Sequence, residues 1–107
     1  MTPVTKFFEI PSFGTLLVGQ SFFNSSFAGY QNGINYIEAN PSDLPGLDSW
    51  FSSHPQIAQQ IALAGKALVS ECHTLSTRTH QIASCLDSIR NHSFKGTEWE
   101  YGKMRII

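Results

Sequence analysis

QIAQQIALAGKALVSECHTLSTRTHQIASCLDSIRNHS, running from Gln56 to Ser93, is the stretch that decides the fold. It holds no proline and carries one apolar seam: Ala58, Ile61, Gly65, Leu68, Cys72, Leu75, Thr79, Ile82, Leu86 and Ile89. The steps alternate between three and four residues, which puts the whole seam on one face of a helix. A helix of about 36 residues is roughly 54 Å long at 1.5 Å per residue. A compact chain of this length has a radius of gyration of about 13 Å and measures only ~34 Å across. The helix must therefore break, or project and take cover from a second chain.

The weakest point of the stretch is Thr74-Leu75-Ser76-Thr77-Arg78-Thr79, because Ser and Thr lower helix propensity. It offers no Gly, Pro, Asn or Asp to make a turn. The expectation is a continuous helix over 54–92, with a hairpin or sharp kink near Ser76 as the alternative. The seam is wide from Ile57 to Val69 and narrows to a strip from Cys72 to Ile89. A wide face suits burial against a layer of the same chain, whereas a narrow strip suits one partner helix. Thr79, Ile82, Leu86 and Ile89 are accordingly the expected partner or dimer contact, with Ile61, Leu68 and Leu75 expected in the core.

Upstream, residues 3–10 and 15–23 read as strands joined by the turn Pro11-Ser12-Phe13-Gly14. Asn32-Gly33 is the preferred pair for a type I′ turn, so Phe27–Gln31 and Ile34–Ala39 read as a hairpin. Asn40-Pro41-Ser42-Asp43 opens a short helix carrying Leu44, Leu47 and Phe51 on one face, with Ser42 or Asp43 as its N-cap. Ser53 caps the long helix, and Thr97–Ile107 reads as a last strand. All thirteen aromatic residues lie outside residues 54–93, so rings from one layer can interdigitate with small side chains from the other. The fold expected is a single α+β domain over 1–107. It has a mostly antiparallel sheet of about five strands, in the order β-β-β-β-α-α-β, packed against one long helix.

Composition narrows the function classes. Charged residues make up 14% of the chain, against a typical ~25%. The net charge is −1, split as −3 up to Ser53 and +2 from His54 onward. A phosphate-binding surface needs a larger basic excess. No basic n-region with a following apolar run opens the chain, and no apolar run reaches the ~18 residues of a membrane span. With two cysteines in all, a cytoplasmic protein with reduced thiols is expected.

No residue set converges on a chemistry. Cys72, His73, His80 and Cys85 are metal-ligand types, but His73 and His80 are about 10.5 Å apart along a helix and cannot share one ion. Cys72 and His73 diverge by ~100° and lack a third group to orient the histidine. Glu9, Glu38 and His54 would serve an acid–base site only if the fold gathered them. Arg78, Arg90, His92, Lys95, Lys103 and Arg105, with Trp99 and Tyr101, could bind single-stranded nucleic acid but are interleaved with Glu98 and Glu100. The glycines form no phosphate loop.

The expectation is therefore a non-catalytic protein-binding module. It would be a small inhibitor or adaptor of the kind a mobile element carries, homodimeric, with no metal or cofactor. The alternatives are a small ligand-binding domain or enzyme using Glu9, Glu38 and His54, or a nucleic-acid-associated regulator.

Overall fold

In the computed structural model, which describes residues 5–22 and 24–107, the long stretch forms two helices instead of one. Helix α2 spans Leu44–Ser53, helix α3 spans Pro55–Cys72 and helix α4 spans Leu75–Arg90. Between them His73 takes φ −128° and ψ 28°, and Thr74 is extended at φ −83° and ψ 162°. The Thr74 hydroxyl accepts the Thr77 N–H at 3.1 Å, so Thr74 is a side-chain N-cap for α4. The continuous helix is thus corrected to a break just before Ser76, at a cap that threonine can supply without glycine or proline.

The two helices, about 27 Å and 24 Å long, nearly account for the molecule's long extent of 55 Å. The radius of gyration is 16.2 Å, above the ~13 Å of a compact chain of this size.

The five-strand antiparallel sheet does not form. The described residues hold two small sheets of two strands each and are about 53% helical. Strand β1, Val18–Gly19, pairs in parallel with β2, Ile37–Glu38, joining Val18 to Ile37 and Gly19 to Glu38. Strand β3, Thr97–Glu100, pairs antiparallel with β4, Lys103–Ile106.

The first expected strand, 3–10, is instead helix α1, Lys6–Ser12, with residues 1–4 outside the described set. Phe7 and Pro11 are buried against α3, and Ile10 packs beside them. A short apolar run such as Phe7-Phe8-Glu9-Ile10 fits helix or strand equally well, and contact with α3 decides. Of the second expected strand only Val18–Gly19 pairs; its last residue, Phe23, lies outside the described residues.

The predicted 27–39 hairpin is likewise replaced by a turn. Ile34 N–H bonds to Gln31 O at 3.0 Å, and positive φ occurs at Gly33, 81°, but not at Asn32. That is the pattern of a type II turn, not type I′. The type I′ pattern occurs elsewhere. Tyr101 at φ 49° and Gly102 at φ 87° join β3 to β4, with Glu100 and Lys103 as the closing pair. Thr97–Ile107 is therefore a hairpin and not one strand. The turn must carry Gly102 because its N–H reaches Phe27 O at 2.7 Å and a Cβ there would sit 2.8 Å from Ala28 O.

The aromatic partition expected from the sequence persists, but the ring-bearing layer is α1 with irregular loops. Phe7, Phe22, Tyr30 and Tyr36 pack edge to face, with Phe7–Phe22 centroids 4.8 Å apart. Pro11 has no N–H for the Phe7 carbonyl one turn back. Tyr30 Oη donates to that carbonyl instead, at 2.6 Å, so a buried acceptor stays paired. Against this cluster α3 sets its small face: Ile61, Ala62, Gly65, Val69 and Cys72 are buried. Gly65 is required by close approach, since a Cβ there would lie 2.7 Å from Asn35 O.

Candidate functional site

The junction between α3 and α4 is tied by a polar cluster. His73 Nε2 donates to Ala28 O at 2.6 Å, which leaves Nδ1 as an acceptor, and Arg78 Nη2 donates to it. Arg78 Nη1 also donates to Cys72 O at 2.9 Å and to Gln81 Oε1 at 3.1 Å. It thereby satisfies a carbonyl at the end of α3 that has no helical partner. The guanidinium lies 5.7 Å from the Trp99 ring centroid on β3. The His73 ring stacks parallel on Tyr30 and packs 5.0 Å from Phe8. Burial holds His73 below its ordinary pKa; the bond to Ala28 O opposes this shift and the Arg78 charge adds to it. An Nδ1 that accepts from Arg78 belongs to the neutral ring.

Beyond this junction α4 is turned opposite to the usual arrangement. Its half-buried residues include the polar set Thr77, Gln81, Ser84 and Ser88, and no residue of α4 is fully buried. Thr77, His80, Gln81 and Ser84 line an open cleft of about 590 Å³ against Met104 and Ile106 of β4. The apolar side chains point to solvent: Leu75 is 84% exposed, Ile82 61%, Leu86 56% and Ile89 51%. At 100° per residue the apolar strip lies roughly 130° around the axis from the polar stripe.

The structure gathers Thr79, Ile82, Leu86 and Ile89, the expected contact residues, on this exposed face. Leu75 joins them, which corrects its assignment to the core, whereas Ile61 is buried and Leu68 packs beside the aromatic cluster. His73, expected on a solvated stripe, is half-buried. The burial of His73 has little local signal, because Ala28, Phe8 and Tyr30 reach it from across the fold.

The other candidates stay apart. Cys72 is buried, with its thiol pushed up by burial, and Cys85 is partly exposed. Among the described residues no three His, Cys, Asp or Glu side chains group as metal ligands. Glu9 is exposed and pairs with Lys6 at 2.9 Å. Glu38 is exposed on β2, and its N–H bonds to Asn32 Oδ1. His54 stacks on Trp50 in a cavity lined by Ser53, Pro55, Gln56 and Ile57, and neither glutamate lines it. Of the basic residues near Trp99, Arg78 turns into the junction and Arg105 pairs with Glu98. No helix of the described residues is long and apolar enough to cross a membrane. No protein-family model, curated protein or solved structure matches the chain.

Proposed function

We propose that the chain is a non-catalytic protein-binding module, an inhibitor or adaptor that acts through the apolar face of α4. One observation carries this reading: α4 keeps polar residues toward its own hairpin and presents Leu75, Ile82, Leu86 and Ile89 to solvent. Folding alone gains nothing from apolar residues in that position, since their transfer from water is left undone. A contiguous exposed apolar strip rimmed by polar residues is the mark of an interaction surface. Its spacing of three and four is that of a helix that docks along a groove or against another helix.

The test is a comparative capture. Immobilised wild type and Ile82→Glu, matched in circular dichroism and melting, are incubated with host lysate and the retained proteins are identified by mass spectrometry. A protein held by the wild type and lost from Ile82→Glu is the expected result. Identical retention by both overturns the assignment to this face.

A further inference from the structure

We propose that the outer edge of β4 accepts an extended acidic peptide as a third strand of the hairpin sheet, with carboxylates at alternate positions beside Lys103 and Arg105. The site lies on the cleft side of α4, away from the exposed apolar strip, and is a second surface.

The hairpin register decides which backbone groups point outward. Glu100 and Lys103 close the two-residue turn, and bonded and non-bonded pairs alternate along an antiparallel ladder. Lys103 and Arg105 therefore bond to β3. Ile107 N–H bonds to Gly96 O at 3.1 Å, in phase with that alternation. Met104, opposite Trp99, and Ile106, opposite Thr97, form the non-bonded pairs. Their N–H and C=O groups leave β4 on the side away from β3. Among the described residues none of these four groups has a hydrogen-bond partner. The complement of such a row of donors and acceptors is another extended backbone.

The cleft of about 590 Å³ runs along this edge. It is lined by Met104, Arg105 and Ile106 of β4 and, among the described residues, by none of β3. Successive strand residues alternate faces, so Arg105 lies on the face opposite to Met104 and Ile106. A cleft that all three line follows the backbone edge. Its far wall is α4 from Ser76 to Ser84, about 12 Å long. That length takes about four residues of extended chain at ~3.4 Å each.

Charge selects the class of peptide. The outer face of the hairpin carries Glu98 and Glu100 on β3 and Lys103 and Arg105 on β4, all exposed. Arg105 donates to Glu98 on the β3 side. Among the described residues no carboxylate pairs with Lys103 or Arg105 from the open side. A third strand sets its outward residues beside these two cations, where opposite charge stabilises and like charge repels. Its inward residues meet Met104 and Ile106 and the hydroxyl and amide groups of Thr77, Gln81 and Ser84. β4 already holds one strand of this pattern, Thr97-Glu98-Trp99-Glu100, along its other edge.

NMR titration of the isotope-labelled chain tests the proposal, with a capped heptapeptide alternating threonine and glutamate as probe. The complex is weak, dissociating on the order of a millimolar, because only four backbone bonds offset the ordering of the peptide. The Met104 and Ile106 amide signals should shift and saturate, together with those of Gln81 and Ser84. Two further probes carry N-methyl groups, one on its threonines only and the other on its glutamates only. The one whose N–H groups face β4 should lose binding at least about tenfold, and the other should stay within about threefold. A probe with glutamine in place of glutamate should bind several-fold more weakly at low salt, and the gap should close as salt is raised. Ile82→Glu, on the other surface of α4, should leave the titration unchanged. No shift at Met104 and Ile106 at several millimolar probe, an equal response to the two N-methylated probes, or glutamine bound as tightly as glutamate overturns the proposal. So does a titration whose shifts fall on Leu75, Ile82 and Leu86 instead.

Discussion

Phe7 and Leu86 are both large apolar side chains on amphipathic helices, and the molecule treats them in opposite ways. Phe7 is 6% exposed in a cluster of rings, while Leu86 is 56% exposed on the outside of α4. The contrast extends to their neighbourhoods. The half of the molecule built on α1 and α3 matches large rings to a small-residue helix face, down to a glycine where backbone meets backbone. In the half built on α4, Thr77, Gln81 and Ser84 line the cleft toward the hairpin, and aliphatic side chains stay outside. The first half is arranged for folding; the second sets aside apolar area that folding does not use.

The sharpest way to break this comparison is to truncate each half alike. Phe7→Ala should cost about 3–5 kcal/mol, as a buried ring is lost and a cavity is left. Urea unfolding followed by circular dichroism checks it, and a loss under 1 kcal/mol would remove the cluster from its central place. Gly65→Ala should come next, at about 1–3 kcal/mol, because a methyl cannot be accommodated beside Asn35 O without moving α3 off the loop. An unchanged melting temperature would mean the close approach is relaxed in solution.

Smaller effects probe the joint between the halves. Thr74→Ala should cost about 1 kcal/mol through loss of the cap on α4. Hydrogen exchange should show the loss in the first turn of α4 and leave α3 unchanged. His73 adds a pH dependence with a defined sign. Its folded pKa lies below the ordinary 6.5, so the unfolded chain binds a proton that the folded one refuses. Stability is therefore complete above about 6.5 and declines as pH falls through the unfolded and then the folded value. Denaturant midpoints at pH 7.5 and 5.5 should differ for the wild type, and by less for His73→Gln. Leu86→Ala closes the series, with a change within about 0.5 kcal/mol at a concentration where the chain is monomeric. A loss comparable to that of Phe7→Ala would show that the α4 strip is part of the core.

The same contrast separates what was legible in advance. The phase of the helices was readable: Ile61 is inside, Gln59 and Lys66 are outside, and Thr79, Ile82, Leu86 and Ile89 share a face. A helix repeats every 3.6 residues, so its faces are written locally. The strand readings failed because runs as short as Phe7–Ile10 and Leu16–Gln20 hold too few residues to distinguish a period of two from one near four. Asn32-Gly33 favours a I′ turn by its residue types, yet the fold places that turn at Tyr101-Gly102, where the Gly102 N–H is bonded to Phe27 O. Composition told which residues needed cover without telling which surface would reach them.

The sequence by itself therefore determined the helical periodicity of 56–93, the separation of rings from small residues, and the strip from Thr79 to Ile89. Tertiary structure decided where the helix stops, that α1 is helical, and which half of the seam is covered. The reason lies at His73. Thr74 caps α4 locally, but the bond that holds His73 out of the helix runs to Ala28, 45 residues away in the chain. Local pattern records the demand of each face for burial, and only the assembled fold supplies the partner that meets it or leaves it unmet.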